Sequence, residues 1–338
     1  MDMDVKCGIV GFGFAFPETT RDYEEISRLS GVPAEVVRDK FGINHIYYPG
    51  HDEQTSDLAV AAAQDCLNKT GVDPKEIDLI IYFGENWGDY HIYSIGPKVQ
   101  YKIGAVNAWC YQIENKCGSA IVAMEQAKMY MQTNPDISTV MLVGGYRNVD
   151  KVDYTDTSVS FLFDVSCGGA ACIMKRGYER RNFLAAAAIA DGSFSDAIVV
   201  PGGGTKCPFT LENINDNYLK YFRLEDPQAF RERLGKVTLS NLAKVEEMAL
   251  AKVGKTLADL DCVCALHMNV KSHKMLFELL GLPLEKGTYL SDFGHVGQLD
   301  PLIALNMAEE KGLVKEGSLV GVIAMGFGYI WNGGVLRW

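Results

Sequence analysis

Short apolar segments alternate with helical patterns along this chain of 338 residues. The first half contains the strand-like runs CGIVGFGFAF (7–16) and IDLIIYFG (77–84), with the helical pattern LAVAAAQDCLNKTG (58–71) between them. The second half contains a long amphipathic helical pattern (236–254), followed by the apolar runs DLDCVCALHM (259–268) and SLVGVIAMGFG (318–328). This alternation predicts an α/β protein whose sheet is largely buried.

The two halves share one segment pattern. Residues 58–84 and 242–267 each contain a helical stretch, a break with Gly, a short acidic turn and a buried strand. A repeat of this kind indicates an internal duplication. The charged segment KRGYERRN (175–182) is the candidate boundary and gives units 1–175 and 176–338. An ordinary charged surface loop is the alternative interpretation of this segment.

Composition and charge restrict the class of protein. The chain is 48% apolar with 34 glycines, as in globular enzymes, and its 32 basic and 43 acidic residues give a net charge of -11. We find no dense basic run, so nucleic acid and anionic membranes are not expected partners. No apolar stretch reaches the length of a membrane span, and the acidic start is unlike a signal peptide, so we expect a cytoplasmic protein.

The nine cysteines are scattered and form no C-x-x-C pair. In a chain without an export signal, we expect reduced thiols. Cys262 and Cys264 alternate within an apolar strand-like run, which favours packing over metal ligation. The run GFGFAF lacks the third glycine of a dinucleotide fingerprint, so we expect no metal and no redox cofactor.

One cysteine lies at a chemically favourable position. In IENKCGSAIVAMEQAK (113–128), Cys117 stands where a polar turn becomes an amphipathic helix. The partial positive charge of a helix N-terminus stabilises a thiolate, and the small residues of GSA leave room for an acyl group and for a backbone N–H near an oxyanion. A small buried hydrophobe is the alternative interpretation of Cys117.

Two of the six histidines end strand-like runs, namely His267 in CVCALHMNVKSHK and His295 in YLSDFGHVGQLDPL. Polar residues just beyond buried strands commonly form the sites of α/β proteins. A cysteine and two histidines that converge would suit covalent acyl chemistry.

Several segments resemble, in order, the thiolase superfamily of condensing enzymes, and most closely β-ketoacyl-ACP synthase III. The segments are EVVRDKFGI, the Cys117 turn, FDVSCGGAACIM, ADGSFSD, ALHMNVKSHK, FGHVGQLDP and MGFGYIWNGGVLRW. The resemblance implies a thiolase fold, which is a five-layered α-β-α-β-α arrangement of two similar halves. It places Cys117 in the first half and both histidines in the second, and it implies a homodimer.

The resemblance also implies a reaction and roles for residues. Cys117 would take an acyl group from an acyl-CoA, and a second CoA or ACP thioester would supply the carbanion of a Claisen condensation. His267 would be the principal acid/base and enolate-stabilising residue, with His295 as its partner. The amides of Cys117 and Phe327 would form the oxyanion hole, in a turn that Gly326 permits. CoA or ACP thioesters are the substrates, and no cofactor is implied.

The chain departs from the family pattern at several positions. His295 stands where synthase III enzymes usually have asparagine, and Asn269 lies near another family asparagine. Phe327 replaces a common glycine, which would reshape the acyl pocket. In the turn that often carries tryptophan and arginine, this chain offers Arg38 and Lys40. These two residues and Lys271 either meet phosphates of CoA or of a carrier-protein arm, or are solvated surface charges.

Two alternative functions stay open at this point. Glu85 precedes Cys117 by 32 positions (117 minus 85), a spacing that resembles hydroxymethylglutaryl-CoA synthases. A carboxyl group beside the thiol would suit such an enzyme, or a thiolase-like one. The other alternative is a non-condensing subunit that works only with an accessory partner protein, which the unusual His295 motivates.

Overall fold

The computed structural model describes residues 5–338, apart from the side chains of residues 229 and 231. Residues 1–4, which include most of the acidic start and the beginning of the first predicted unit, lie outside the described residues. The strands are β1 (Cys7–Ala15), β2 (Thr20–Asp22), β3 (His45–Tyr47), β4 (Leu79–Phe83), β5 (Trp109–Ile113), β6 (Thr139–Tyr146), β7 (Gly168–Arg176), β8 (Asn182–Ala190), β9 (Ile198–Val199), β10 (Arg223–Leu224), β11 (Cys262–Ala265), β12 (Leu319–Gly326) and β13 (Ile330–Arg337). The helices are α1 (Tyr23–Ser30), α2 (Ala34–Val36), α3 (Thr55–Thr70), α4 (Ile95–Ile103), α5 (Ser119–Thr133), α6 (Pro227–Ala251), α7 (Val270–Leu280) and α8 (Asp300–Glu310).

Local sequence explains where these elements begin and end. Helix α3 starts at a capping box in which Gln54 and Asp57 satisfy each other's backbone amides. It ends at Gly71, whose φ of 68° few other residues tolerate. Strands β4 and β6 are buried along their whole length, as expected of strands covered by helices on both faces.

The main sheet consists of two halves with the same topology. The first runs β1-β7-β6-β4-β5 and the second β8-β13-β12-β11. In each half the first three strands pair antiparallel and the next pair is parallel. In the first half, β5 pairs with β4 as a further parallel strand. In the second half, a single parallel bridge between Val263 and Gly287 takes the corresponding place. The sheet continues from one half into the other through one paired position of β1 and β8, Gly8 with Asn182.

Helices complete five layers. Helix α3 packs on β1, β6 and β7, whereas α6 packs on β8, β12 and β13 at the opposite side of the molecule. Between the sheets, α5 contacts strands of both halves, and so does α8. The predicted five-layered thiolase fold with two similar halves is therefore confirmed. The division at residue 175 falls at the end of β7, and the independence of the two units stays a prediction.

Between residues 5 and 338, no helix has both the length and the apolar character that crossing a membrane requires.

Candidate active site

Cys117 lies in a single 3₁₀ turn, Lys116–Gly118, that runs directly into α5. The backbone of Lys116 has a φ of 48°, in the left-handed region that side chains other than glycine rarely adopt. Gly118 has no space for a side chain, because a Cβ there would collide with the amide of Asn332. The turn is thus fixed against β13, and it holds the thiol only 3% exposed.

The thiol contacts an imidazole that a carboxylate orients. His295 Nε2 lies 3.2 Å from Cys117 Sγ, and His295 Nδ1 lies 2.6 Å from Asp300 Oδ2. Asp300 is completely buried at the first position of α8. Its carboxylate also accepts hydrogen bonds from the amides of His267, at 2.9 Å, and Val296, at 2.8 Å. These contacts link Asp300 to Cys117 through His295, in a fixed series of three residues.

Burial and neighbouring charges determine the pKa values of His295 and Cys117. Burial by itself lowers the pKa of His295, but the charges of Asp300 and Cys117 outweigh it, and the net pKa is raised well above its ordinary value. Burial raises the pKa of Cys117, and His295 offsets only part of that rise. The position at a helix start therefore does not make the thiol acidic on its own, and activation needs the neighbouring imidazole.

Glu85 approaches the thiol from another direction. It follows the end of β4, and its Oε1 lies 4.0 Å from Cys117 Sγ. Asn148 donates a hydrogen bond of 2.6 Å to Oε2, which fixes the carboxyl group. Burial raises the pKa of Glu85, and Lys116 offsets part of the rise. Glu85 lines a separate small cavity of about 270 Å³.

His267 follows β11 and does not contact the thiol through a hydrogen bond. The His267 side chain is fully buried, and its ring lies within reach of the backbone of Phe41. Its Nε2 lies 3.6 Å from Asp164 Oδ2. Burial lowers the pKa of His267 to about 4 and raises the pKa of Asp164 to about 7.

A cavity of about 1030 Å³ connects these groups with the surface. Cys117, Asp164, His267 and His295 line it together. Apolar side chains form much of its wall, namely Leu162, Phe230, Leu234, Leu239, Leu242 and Met325. The exposed lysines that line it are Lys40, Lys271 and Lys274. The arrangement suits a long substrate with an apolar arm and an anionic end at the surface.

The structure brings some predicted substrate-binding residues to this cavity and leaves others outside its lining. Lys40, Asn269, Lys271 and Phe327 line it, and Asn269 also caps α7 by accepting from the amide of Ser272 at 2.9 Å.

Arg38 and Gly326 do not line the cavity. Arg38 makes two hydrogen bonds, of 2.7 and 3.0 Å, to the carboxylate of Asp39, which balances its charge. Gly326 packs closely against the turn that contains Cys117. A Cβ at Gly326 would lie 2.8 Å from the amide nitrogen of Cys117. The oxyanion hole of the Cys117 and Phe327 amides stays a prediction.

Sequence reasoning missed Asp164, Asp300 and Asn148. Asp164 lies between an apolar segment and VSCGGAA, and Asp300 precedes a proline at a helix start, where aspartate is common. Asp300 could have been noticed as the lone acidic residue within the apolar stretch that follows His295. No signal of spacing pointed to Asn148.

In the part of the chain that the structure describes, no three His, Cys, Asp or Glu side chains are grouped so that they could hold a metal ion. All nine cysteines are free thiols, and Cys262 and Cys264 are buried in β11. The absence of a metal or redox cofactor stays a prediction.

Comparisons with known proteins identify relatives over the whole chain. Residues 111–192 match the model of 3-oxoacyl-[acyl-carrier-protein] synthase III, and residues 250–338 match the model of its C-terminal part. A β-ketoacyl-[acyl-carrier-protein] synthase III of Syntrophomonas wolfei is 28% identical over 99% of this chain and 98% of its own length. The enzyme of the same name from Ruegeria pomeroyi is 25% identical over 98% of both chains. The crystal structure of 3-oxoacyl-[acyl-carrier-protein] synthase III from Aquifex aeolicus superposes with a TM-score of 0.84 at 23% identity, covering 99% of this chain and 100% of that one.

Proposed function

Because this chain belongs to the 3-oxoacyl-[acyl-carrier-protein] synthase III family of condensing acyltransferases, we propose that it forms an acyl thioester on Cys117 and transfers that acyl group to the α-carbon of a second thioester. The observation that carries the proposal is the 3.2 Å contact between Cys117 Sγ and His295 Nε2. The relatives favour this condensing function over a hydroxymethylglutaryl-CoA-synthase-like enzyme and over a partner-dependent subunit.

In the first half-reaction, Cys117 reacts as a thiolate paired with the His295 imidazolium, and Sγ attacks the carbonyl carbon of the acyl thioester. Asp300 supports this step, because it holds the opposite ring nitrogen and stabilises the imidazolium. The imidazolium then gives the proton to the departing thiol. The amides of Cys117 and Phe327 are the proposed donors to the oxyanion, and the close approach of Gly326 to the Cys117 amide supports this arrangement.

In the second half-reaction, His267 stabilises the enolate oxygen of the donor thioester. Its lowered pKa of about 4 keeps the ring neutral at neutral pH, so that one ring nitrogen carries an N–H. This division of roles differs from the one the sequence predicted, because the structure puts His295 and not His267 beside the thiol. We therefore assign thiol activation to His295 and enolate stabilisation to His267.

The substrates are proposed to be an acyl-CoA and a thioester of CoA or of an acyl carrier protein, and the acyl carrier protein is the one that the names of the relatives contain. Both would present a phosphate at the cavity entrance, where Lys40, Lys271 and Lys274 are exposed. Arg38 stays a candidate only if a substrate phosphate displaces Asp39.

A homodimer is the proposed assembly. Strand β5 lies at the end of the main sheet, so one of its edges has no partner strand among the described residues. Apolar side chains are exposed on and near it, namely Tyr101, Val106, Trp109 and Met129. An open edge with apolar neighbours favours pairing with a second copy. Sedimentation equilibrium should give twice the mass of the chain, and a strictly monomeric active enzyme would contradict the assembly.

Intact-protein mass spectrometry after incubation with a panel of acyl-CoAs tests the proposed function. We expect a mass increase equal to the acyl group in the native protein and none in Cys117→Ala. The size of the increase identifies the preferred acyl group. Folded protein with a free thiol that forms no adduct with any acyl-CoA or acyl-ACP would overturn the proposal and favour the partner-dependent subunit.

A further inference from the structure

Glu85 is an acidic group beside the thiol that the proposed acyl transfer does not use. Its Oε1 lies 4.0 Å from Cys117 Sγ, and its Oε2 accepts a hydrogen bond of 2.6 Å from Asn148. Withdrawal of a carboxyl group from water costs free energy, and the same burial raises the pKa of Glu85. A costly ionisable group next to a nucleophile favours a role in a reaction of that nucleophile.

Acylation of Cys117 changes the surroundings of the Glu85 carboxyl group. Asn148 occupies Oε2, and among the described residues the sulfur of Cys117 is the hydrogen-bonding neighbour of Oε1. The negative charge of Glu85 raises the pKa of the thiol, so the two anions repel each other. An acylated sulfur has no proton to donate to Oε1 and no negative charge to oppose the ionisation of Glu85. Oε1 then becomes an acceptor without a protein donor, and such a group normally binds water.

The small cavity gives water a route to this carboxyl group. Glu85, Asn86, His91 and Gln112 are among the side chains that line its volume of about 270 Å³. Tyr90 also lines it and is 73% exposed, so the cavity reaches the surface. Its volume holds several water molecules at about 30 Å³ each, whereas cavities for drug-sized ligands measure about 300–1,000 Å³. Water can therefore reach Glu85 while a thioester occupies the main cavity.

We propose, on the basis of the proposed function, that the acyl group on Cys117 has water as a second acceptor, with Glu85 as the general base. The protein then hydrolyses an acyl-CoA whenever no second thioester reaches the acylated site. The acyl carbon is bonded to Sγ, and Oε1 lies 4.0 Å from that sulfur, so a water molecule held by Oε1 lies beside the carbon that it attacks. The Asn148 hydrogen bond keeps the carboxyl group in this orientation.

Water is the only further reactant that this step consumes. Glu85 accepts one proton of the water molecule, and the water oxygen forms a bond to the acyl carbonyl carbon. Collapse of the tetrahedral adduct breaks the C–S bond, and the electron pair of that bond returns to the sulfur of Cys117. Glu85 gives its proton back to the sulfur, which shares it with His295 at 3.2 Å. The products are a free carboxylic acid and the enzyme in its starting state.

The lifetime of the acyl adduct tests the inference directly. The native protein is acylated with its preferred acyl-CoA, desalted into H₂¹⁸O without a second thioester, and followed by intact-protein mass spectrometry. We expect the adduct to decay and the released acid to contain one ¹⁸O atom. Glu85→Gln should acquire the adduct as the native protein does and lose it about 100-fold or more slowly. Glu179→Gln is the matched control, because it removes the same charge from an exposed loop outside both cavities.

The pH dependence of adduct decay distinguishes a base from a residue that only supports the structure. The decay rate of the native adduct should rise with pH as Glu85 loses its proton and then become constant, and Glu85→Gln should lack this rise. Equal decay rates of the native protein and Glu85→Gln, or a released acid without ¹⁸O, would overturn the inference. A native adduct that does not decay removes this inference alone, whereas absence of any adduct removes the proposed function as well.

Discussion

His295 Nε2 lies 3.2 Å from Cys117 Sγ, although 178 positions separate the two residues in the chain. The thiol belongs to the turn before α5, and the imidazole belongs to the segment before α8. Both helices lie in the central layer between the two sheets. Packing of these helices therefore determines the distance between nucleophile and base.

Asp300→Asn should slow acylation of Cys117 by about 10²–10⁴-fold, because the amide no longer stabilises the imidazolium and does not enforce the same tautomer. The rate of adduct formation with the preferred acyl-CoA, followed by rapid quench and mass spectrometry, measures the effect. Asp300 also accepts two backbone hydrogen bonds, so the melting temperature must be compared at the same time. A folded variant with native acylation kinetics would contradict the role of Asp300.

His295→Asn should move the ionisation of the Cys117 thiol to higher pH. Burial already raises the pKa of Cys117, and the charge of His295 opposes that rise, so removal of the imidazole leaves the effect of burial unopposed. The pH dependence of alkylation by iodoacetamide, with Cys117→Ala subtracted for the other thiols, reports this ionisation. The rising limb of the variant should lie on the alkaline side of the native one, and coincident profiles would exclude the imidazole as an influence on the thiol.

Glu85→Gln should leave acylation of Cys117 and condensation largely intact. Glutamine has the size of glutamate and retains an oxygen that can accept the hydrogen bond from Asn148, so the local structure should persist. Adduct formation and product formation are measured separately on the same variant. Loss of product with normal adduct formation would instead assign Glu85 a proton-transfer role of the hydroxymethylglutaryl-CoA-synthase type.

Glu246→Gln should remove a pH-dependent loss of stability. Glu246 is fully buried on α6, and burial raises its pKa well above the ordinary 4.5, because a backbone hydrogen bond from Gly334 offsets only part of the effect of burial. As pH rises above 4.5, the unfolded chain releases this proton before the folded protein does, so stability falls until the folded pKa is passed.

The variant should gain about 1–3 kcal/mol relative to the native protein at about pH 8, and little at about pH 4. Urea denaturation at the two pH values measures the difference. Glu247→Gln, at an exposed position on the same helix, is the control and should change stability equally at both. A parallel response of the two variants would contradict the buried-acid explanation.

The sequence indicated the fold because its signals were long and repeated. The helix and strand patterns of 58–84 and 242–267 correspond to α3 with β4 and to α6 with β11, which occupy equivalent places in the two halves. Periodicity reports which faces are buried, and burial on both faces indicates a sheet between helices. The pairing of β1 with β8 could not be predicted from the pattern of residues, because it consists of one paired position.

Only part of the candidate site could be predicted from the sequence. Cys117, Glu85 and the two histidines lie at the ends of recognisable elements and were named from the sequence. Asp164 lies beside His267, which is distant in the chain, whereas Asp300 contacts the nearby His295. Aspartate at a loop or helix start has many purely local explanations. The roles that we propose for His267 and His295 depend on which ring lies beside the thiol, and residue type and spacing do not specify that distance.

The placement of thiol and imidazole in different halves has a consequence for synthesis on the ribosome. A nascent chain that has emerged only as far as β7 contains Cys117 but neither His295 nor Asp300. Its thiol is therefore without a base, and acyl-CoA in the surrounding solution meets a poor nucleophile. Reactivity arises when α8 packs against α5, late in synthesis. Under the proposed function, the division of the site between the halves leaves the unfinished polypeptide without the imidazole that activates Cys117.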